Sequence, residues 1–428
     1  MGKFWGRIVK KIRKLEISPV SLNSIPSYPQ VFPKKFFRNI RRELEFSPSK
    51  VPAILILLFF FIILLFPNNL AKHFVLPQSY VLGVLVDYLS PALFLTEILV
   101  GILLIFSLPN FFRQKIFPAA KKFLVLGGVF LAALLPSVWG GSFDLIGLWR
   151  WLELALWMGF GLWVAVFIRE KEHRKIFSLL GWAVLWVSLL ALGQFLFQRS
   201  IFGYWFLGEP NLQPSLGGVA LGDWGGKEVL RAYGTFPHPN VLGGTLSIIL
   251  VWLAARKMWF KFGTGLAAVV VSLSRMAWIS LLGGMAATLT GLRSFILWSD
   301  FSITRRWELL GSAWEMIKSS PLFGVGLGQF TRAVPDFGLP SGLSLFVQPV
   351  HNVGALIAAE SGIPALLVLS TIFLAALWET VRRRRYLLTV SLLQLGFLAL
   401  FDHYLYTLPQ GLFLSSLILG LSFSYSDS

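Results

Sequence analysis

The sequence predicts an all-α, polytopic transmembrane helix bundle of about eleven or twelve spans, with two longer external loops. Three observations carry this. Of the 428 residues, 56% are hydrophobic and only 14% charged, and the mean hydropathy is +0.71, so most of the chain must sit in something other than water. The apolar residues come in long runs separated by short basic or Pro/Gly-rich breaks, whereas a membrane β-barrel would show short alternating segments. Lys and Arg recur on alternate breaks, as the positive-inside rule asks of short cytoplasmic loops.

Residues 1–50 carry twelve Lys and Arg against Glu16, Glu43 and Glu45, which places +9 of the chain's net +18 there. A basic stretch just before a span reads as a cytoplasmic tail drawn to anionic headgroups. That explanation leaves no need for nucleic acid as a partner. The stretch is too long before its first apolar run to be a cleaved signal peptide, and no small-residue cleavage site follows that run. Residues 51–428 are then the transmembrane domain.

The first span is expected over 51–66, ended on the far side by Pro67. Residues 82–108 exceed a bilayer's need, so Ser90 and Pro91 should divide an interfacial piece from a span. Arg113, Lys121 and Lys122 mark a cytoplasmic turn, 123–135 goes out, and 147–168 returns to the charged run from Arg169 to Lys175. After 177–197, residues 198–236 form the first long external loop. Spans over 241–255, 262–273 and 276–292 follow, with Arg256 and Lys257 inside and Arg275 outside. Residues 300–350 form the second polar segment, in which Trp307, Leu310 and Trp314 stand at helical spacing. A span over 350–379 is broken near Gly362 and Pro364, and Arg382 to Arg385 mark the inside again. Spans 387–401 and 412–423 close the chain around a turn at Asp402 to Gln410. One crossing is missing from this scheme: Arg275 and His351 both fall outside, yet only 276–292 is long enough to join them. A short or re-entrant element, or a lost span, is expected there.

Several chemistries are excluded at once. With no cysteine there is no disulfide framework and no thiolate nucleophile or ligand. The five histidines (73, 173, 238, 351 and 403) show no zinc-type spacing, and neither a phosphate-binding Walker loop nor a paired-aspartate motif is present. No cofactor and no metal site is expected.

What remains is a set of cations and imidazoles at predicted external helix ends. Arg231 to Asn240 (RAYGTFPHPN) is a turn-rich segment in which Asn240 should cap a helix beginning at Val241. Arg275 stands at a helix boundary and His351 at the start of a span. Arginine offers a planar, permanently charged fork for phosphate oxygens, and histidine accepts a proton near neutral pH. Arg231 and Arg275 are therefore candidate diphosphate ligands and His351 a candidate general base, with His238, Asn240 and Asn352 as secondary candidates. Each has a plainer reading: arginines near helix ends snorkel, His351 with Asn352 can start a helix, and His238 can be a turn residue. Glu97 and Glu153 fall within or near spans, where a functional and a partnered structural role are equally open.

The order of segments resembles the O-antigen ligase and polymerase superfamily of membrane glycosyltransferases. The stretches that carry the resemblance are Arg231 to Asn240, Ser272 to Trp278 (SLSRMAW), Arg306 to Ile317 (RWELLGSAWEMI), Pro321 to Phe330 (PLFGVGLGQF), His351 and Asn352, and Glu360 to Pro364 (ESGIP). It covers about 200–380. The resemblance implies a metal-independent enzyme of the cytoplasmic membrane, with its N-terminus cytoplasmic and its site on the outer face. Such an enzyme moves a glycan from a polyprenyl diphosphate carrier to a hydroxyl of a glycolipid, glycan or other acceptor. It also implies that Arg231 and Arg275 hold the diphosphate while His351 activates the acceptor. A repeat-unit polymerase is the nearest alternative. A lipid-linked glycan transporter is the alternative from another class, disfavoured because no matching broken helices recur in two halves of the chain.

Overall fold

Backbone polar groups cannot go unpaired in lipid, so each apolar run is driven into helix. The computed structural model describes residues 52–114, 116–139, 144–289, 301–338 and 348–425. The expected basic tail over 1–50 lies outside the described residues. Each of the eleven expected spans is a helix: α1 Ala53–Leu65, α2 Leu95–Arg113, α3 Pro118–Val138, α4 Leu145–Phe167, α5 His173–Phe197, α6 Pro239–Ala255, α7 Trp259–Val271, α8 Arg275–Leu289, α11 Val353–Arg382, α12 Tyr386–Phe401 and α14 Pro409–Ser422. Between them lie α9 Phe301–Ser319 and two single turns, α10 Phe330–Ala333 and α13 Tyr404–Thr407. Helices α2 to α5 and α11 are long and apolar enough to cross a membrane, while α1, α6, α7, α12 and α14 are apolar but shorter.

The piece expected at the interface is not an α-helix; its only helical turns are short 3-10 ones, Pro77–Ser79 and Asp87–Leu89. Residues 71–94 form two small antiparallel pairs, β1 Ala71–His73 with β4 Ala92–Phe94 and β2 Tyr80–Val81 with β3 Val84–Leu85, and the helix starts just beyond Pro91. The external loop after α5 carries a third hairpin, β5 Leu221–Trp224 with β6 Lys227–Leu230.

Helix α6 is buried on nearly every side from Val241 to Leu253, as a helix apolar all round should be. It packs against α7 and α8, and α8 packs in turn on α12. A second core joins α1, α4 and α14 through aromatic rings: Phe413 stacks on Phe66 at 4.5 Å and on Phe160 at 5.5 Å. The ends of the helices sort into two faces. At one, Lys122 pairs with Glu379 at 2.9 Å and Arg385 with Glu170 at 2.8 Å. At the other, Thr235 bonds the Pro67 carbonyl and Gln410 bonds those of Asn68 and Asn69, the last through its side-chain oxygen.

The break in α11 follows from its sequence. Pro364 has no N–H to give the Glu360 carbonyl, and Gly362 takes φ +82°, which no helix continues through. The Ile363 N–H turns instead to the Pro321 carbonyl at 2.8 Å, and the stranded carbonyls of Ala359 and Glu360 are taken by the N–H groups of Val325 and Gly326 at 2.8 and 3.1 Å. The glycine-rich run after α9 is thus a plug that satisfies a deliberately broken span. A Cβ on Gly324, whose φ is +70°, would lie 2.2 Å from the Glu360 carbonyl carbon. Gly324→Ala is therefore expected to cost at least about 1–2 kcal/mol from the left-handed backbone alone. Thermal unfolding in detergent should fall by several degrees, while Gly283→Ala, where no atom lies within 4 Å, should leave it unchanged or higher. Equal midpoints for the two variants would contradict the plug.

Helix α9 buries Leu309, Ala313 and Met316 and exposes Trp307 and Trp314 at 60% and 59%. The tryptophan stripe read from the sequence is thus its outer face, and the helix is packed against α11. Of the stretch in which the missing crossing is expected, between Arg293 and His351, residues 293–300 and 339–347 lie outside the described residues.

Candidate active site

Arg231 leaves hairpin β5–β6 and turns back toward the starts of α6 and α8. Its Nε donates to the Ser272 carbonyl at 2.8 Å and a terminal nitrogen to Asn240 Oδ1 at 2.7 Å. Both acceptors are uncharged. Burial pushes its guanidinium down to about 10; Tyr233 opposes this, and the Arg275 and Arg306 guanidiniums add to it. Arg231 thus lies within electrostatic reach of Arg275 and of a third cation, Arg306, that is not among the sequence candidates. Arg306 comes from α9.

The expected cap is corrected. Asn240 does not cap α6: His238 is the N-cap residue, its Nδ1 accepting the Asn240 N–H at 3.2 Å. The reason is Pro239, whose fixed φ and missing N–H suit the first helical position, so the helix begins two residues earlier than Val241. Asn240 is freed to orient Arg231. Because Nδ1 accepts, the neutral His238 ring carries its proton on Nε2.

His351 lies just before α11. Asn352 caps that helix, its Oδ1 accepting the Ala355 N–H at 2.8 Å and its Nδ2 donating to the Leu400 carbonyl at 3.2 Å. Both ends of the Asn352 side chain are thus committed to structure. His351 Nδ1 is buried with no protein partner. Its ring sits 5.2 Å from that of His403, edge to face, and His403 meets Tyr88 at 5.4 Å. Asp402 and His403 stand in the turn between α12 and α13, where Asp402 Oδ1 accepts the His403 N–H at 2.8 Å and His403 Nδ1 contacts Thr407 Oγ1 at 2.7 Å. Arg150, one turn into α4, holds this turn from below: its guanidinium donates to the Tyr406 carbonyl and to Glu153, and lies 4.8 Å over the Tyr406 ring. Glu153 is a partnered carboxylate. Glu97 caps α2 by accepting the Phe94 N–H at 3.0 Å.

The electrostatics divide the cluster by role. Burial lowers the His351 imidazole to about 3; Asp402 opposes, and His403, Arg306 and His238 add. His238 is lowered to about 4 by burial and then by Arg231. Burial works against the Asp402 carboxylate, but His351, His403, Arg306 and His238 together outweigh it and hold Asp402 below its ordinary value. An ionised carboxylate thus faces neutral imidazoles, with guanidiniums alongside. One ring nitrogen each of His351 and His403 and an oxygen of Asp402 lie within 4.8 Å of one another, a spacing open to a cation as well as to proton transfer.

Five helices long and apolar enough to cross a bilayer, with a cluster of cations and imidazoles beyond the helix ends, define a multi-pass membrane protein. Residues 240–370 match the protein-family model described as O-antigen ligase. Over that stretch, less than half of the chain, it is similar to the O-antigen ligase family, and the match supports a membrane glycosyltransferase of the ligase or polymerase type in general. A comparison with curated proteins finds no match. The family stretch contains Arg275, Arg306 and His351, while Arg231 and His238 precede it and Asp402 and His403 follow it.

Proposed function

We propose that the protein transfers a glycan from a polyprenyl diphosphate carrier to an acceptor hydroxyl at the outer face of the cytoplasmic membrane. The observation that supports this best is Arg231: a half-buried guanidinium, bonded to neutral oxygens and crowded by two more guanidiniums. Such a group gains most from a bound polyanion, since charge-assisted bonds to phosphate strengthen away from water. Arg231 and Arg275 hold the diphosphate. His351 takes the proton of the acceptor hydroxyl as its oxygen attacks the anomeric carbon. The bond from that carbon to the diphosphate oxygen breaks, and the electron pair leaves on the diphosphate, stabilised by the guanidiniums. Asp402 then faces the imidazolium that has formed.

The direct test is reconstitution with a polyprenyl diphosphate glycan and a lipid acceptor, with the products resolved by size. Full activity is expected after dialysis against EDTA, and one transferred glycan per acceptor marks a ligase, whereas a ladder of repeats marks a polymerase. Loss of activity in EDTA with recovery on adding a divalent cation would reassign His351, Asp402 and His403 as metal ligands. Passage of labelled carrier across the vesicle without a new glycosidic bond would overturn the enzyme reading in favour of a transporter.

A further inference from the structure

At the opposite end of the bundle from His351, a cleft of about 890 Å³ opens between the end of α2, the start of α3, the end of α4 and Tyr425. Lys121, Lys122 and Arg169 form its polar rim, and Val125, Leu126 and Val166 its apolar wall. Phe117 and Tyr425 meet edge to face at 5.3 Å between them. No acidic residue is among those lining the cleft; the described carboxylates around it are Glu379, which pairs with Lys122 and is shared with Arg382 and Arg383, Glu170, which pairs with Arg385, and Glu172, which accepts the Arg169 N–H. Cations therefore outnumber carboxylates here. The cleft also receives the N-terminus of α3, a helix of 21 residues whose N-cap, Phe117, offers no side-chain acceptor to the first-turn N–H groups.

We propose that this cleft binds an anionic phospholipid, its phosphate among Lys121, Arg169 and the first turn of α3 and its acyl chain along Val125 and Leu126. One feature selects a lipid over a soluble anion. Val125 lies on a membrane-spanning helix and is 54% exposed, so the apolar wall runs directly down from the basic rim into the bilayer. A soluble phosphate would satisfy the cations and leave that wall uncovered, while a zwitterionic lipid would cover the wall and bring no net charge. Basic pockets between spans at the positively charged face of a bundle fit this ligand in general. The site shares no residue with the His351 cluster, so lipid labelling can be read apart from the proposed chemistry.

The test uses the full chain in vesicles containing phosphatidylglycerol with a photoreactive acyl chain, with crosslinks mapped by peptide mass spectrometry. Crosslinks are expected on α3 and the end of α4, displaced by unlabelled phosphatidylglycerol and by neither phosphatidylcholine nor inorganic phosphate. Removing two basic side chains in Lys121→Gln with Arg169→Gln should weaken labelling roughly 30-fold. Val125→Trp keeps the cations and fills the wall, and should also abolish labelling at α3. Equal competition by phosphatidylcholine, displacement by inorganic phosphate, or wild-type labelling in a folded variant of either kind would each overturn the proposal.

Discussion

Replacing His351 by alanine is expected to lower kcat for glycan transfer by about 10²- to 10⁴-fold, with KM for the diphosphate donor nearly unchanged, because a general base acts only in the transition state. The variant should fold. His351 Nδ1 is bonded to no protein atom, so its loss strands no partner of that atom, and helix α11 keeps its cap, Asn352. Asp402→Asn should cost less, since the imidazole remains and only the carboxylate that steadies its charged form is lost. Single-turnover kinetics separates the two from a binding defect; undiminished transfer by His351→Ala would remove the base from the mechanism.

A base must be neutral to accept a proton. Burial holds His351 near 3 in spite of Asp402, so transfer should stay level from about pH 8 to about pH 5, and an acid limb should appear only as the pH nears that depressed value. Stability carries the same sign. In the unfolded chain the imidazole binds its proton near the ordinary value of about 6.5. The contribution of His351 to stability is therefore complete above that pH and is lost as the pH falls from there toward about 3. An acid limb centred on the ordinary histidine value would contradict the buried neutral ring.

Much of the fold was legible because lipid leaves the chain few options: an apolar run bounded by Arg, Lys or Pro has to be a helix. The break in α11 was equally legible from Gly362 and Pro364, which act on their own backbone. What joins α11 to the glycine-rich run was not, since the pairing of Val325 and Gly326 with Ala359 and Glu360 spans over thirty residues. The cap of α6 was misread by weighing the side chain of Asn240 above the backbone of Pro239. Asp402, His403 and Arg306 were passed over because they meet His351 only through the packing of α9, α11 and α12. One signal did point to Asp402 and His403. Between Tyr386 and Ser422 they are the only Asp, Glu, Lys, Arg or His residues, and an isolated ionisable pair between two spans is a functional candidate by default.

Arg231→Ala and Arg275→Ala are each expected to reduce kcat by about 10²- to 10³-fold, the scale of losing one preorganised donor to a developing anion. Lysine should rescue only in part, as it restores the charge without the fork that spans two phosphate oxygens. The double variant should fall well short of the product of the single losses, because both side chains act on one diphosphate. Asn240→Ala, which frees the Arg231 guanidinium from its 2.7 Å bond, should weaken donor binding more than turnover. Arg306 separates holding the diphosphate from moving the proton. Its charge depresses the imidazoles of His351, His238 and His403, so Arg306→Gln should move the acid limb of the rate profile upward, toward the ordinary histidine range. If the limb stays in place while activity falls, Arg306 serves the diphosphate alone, and the electrostatic link between the two halves of the site is absent.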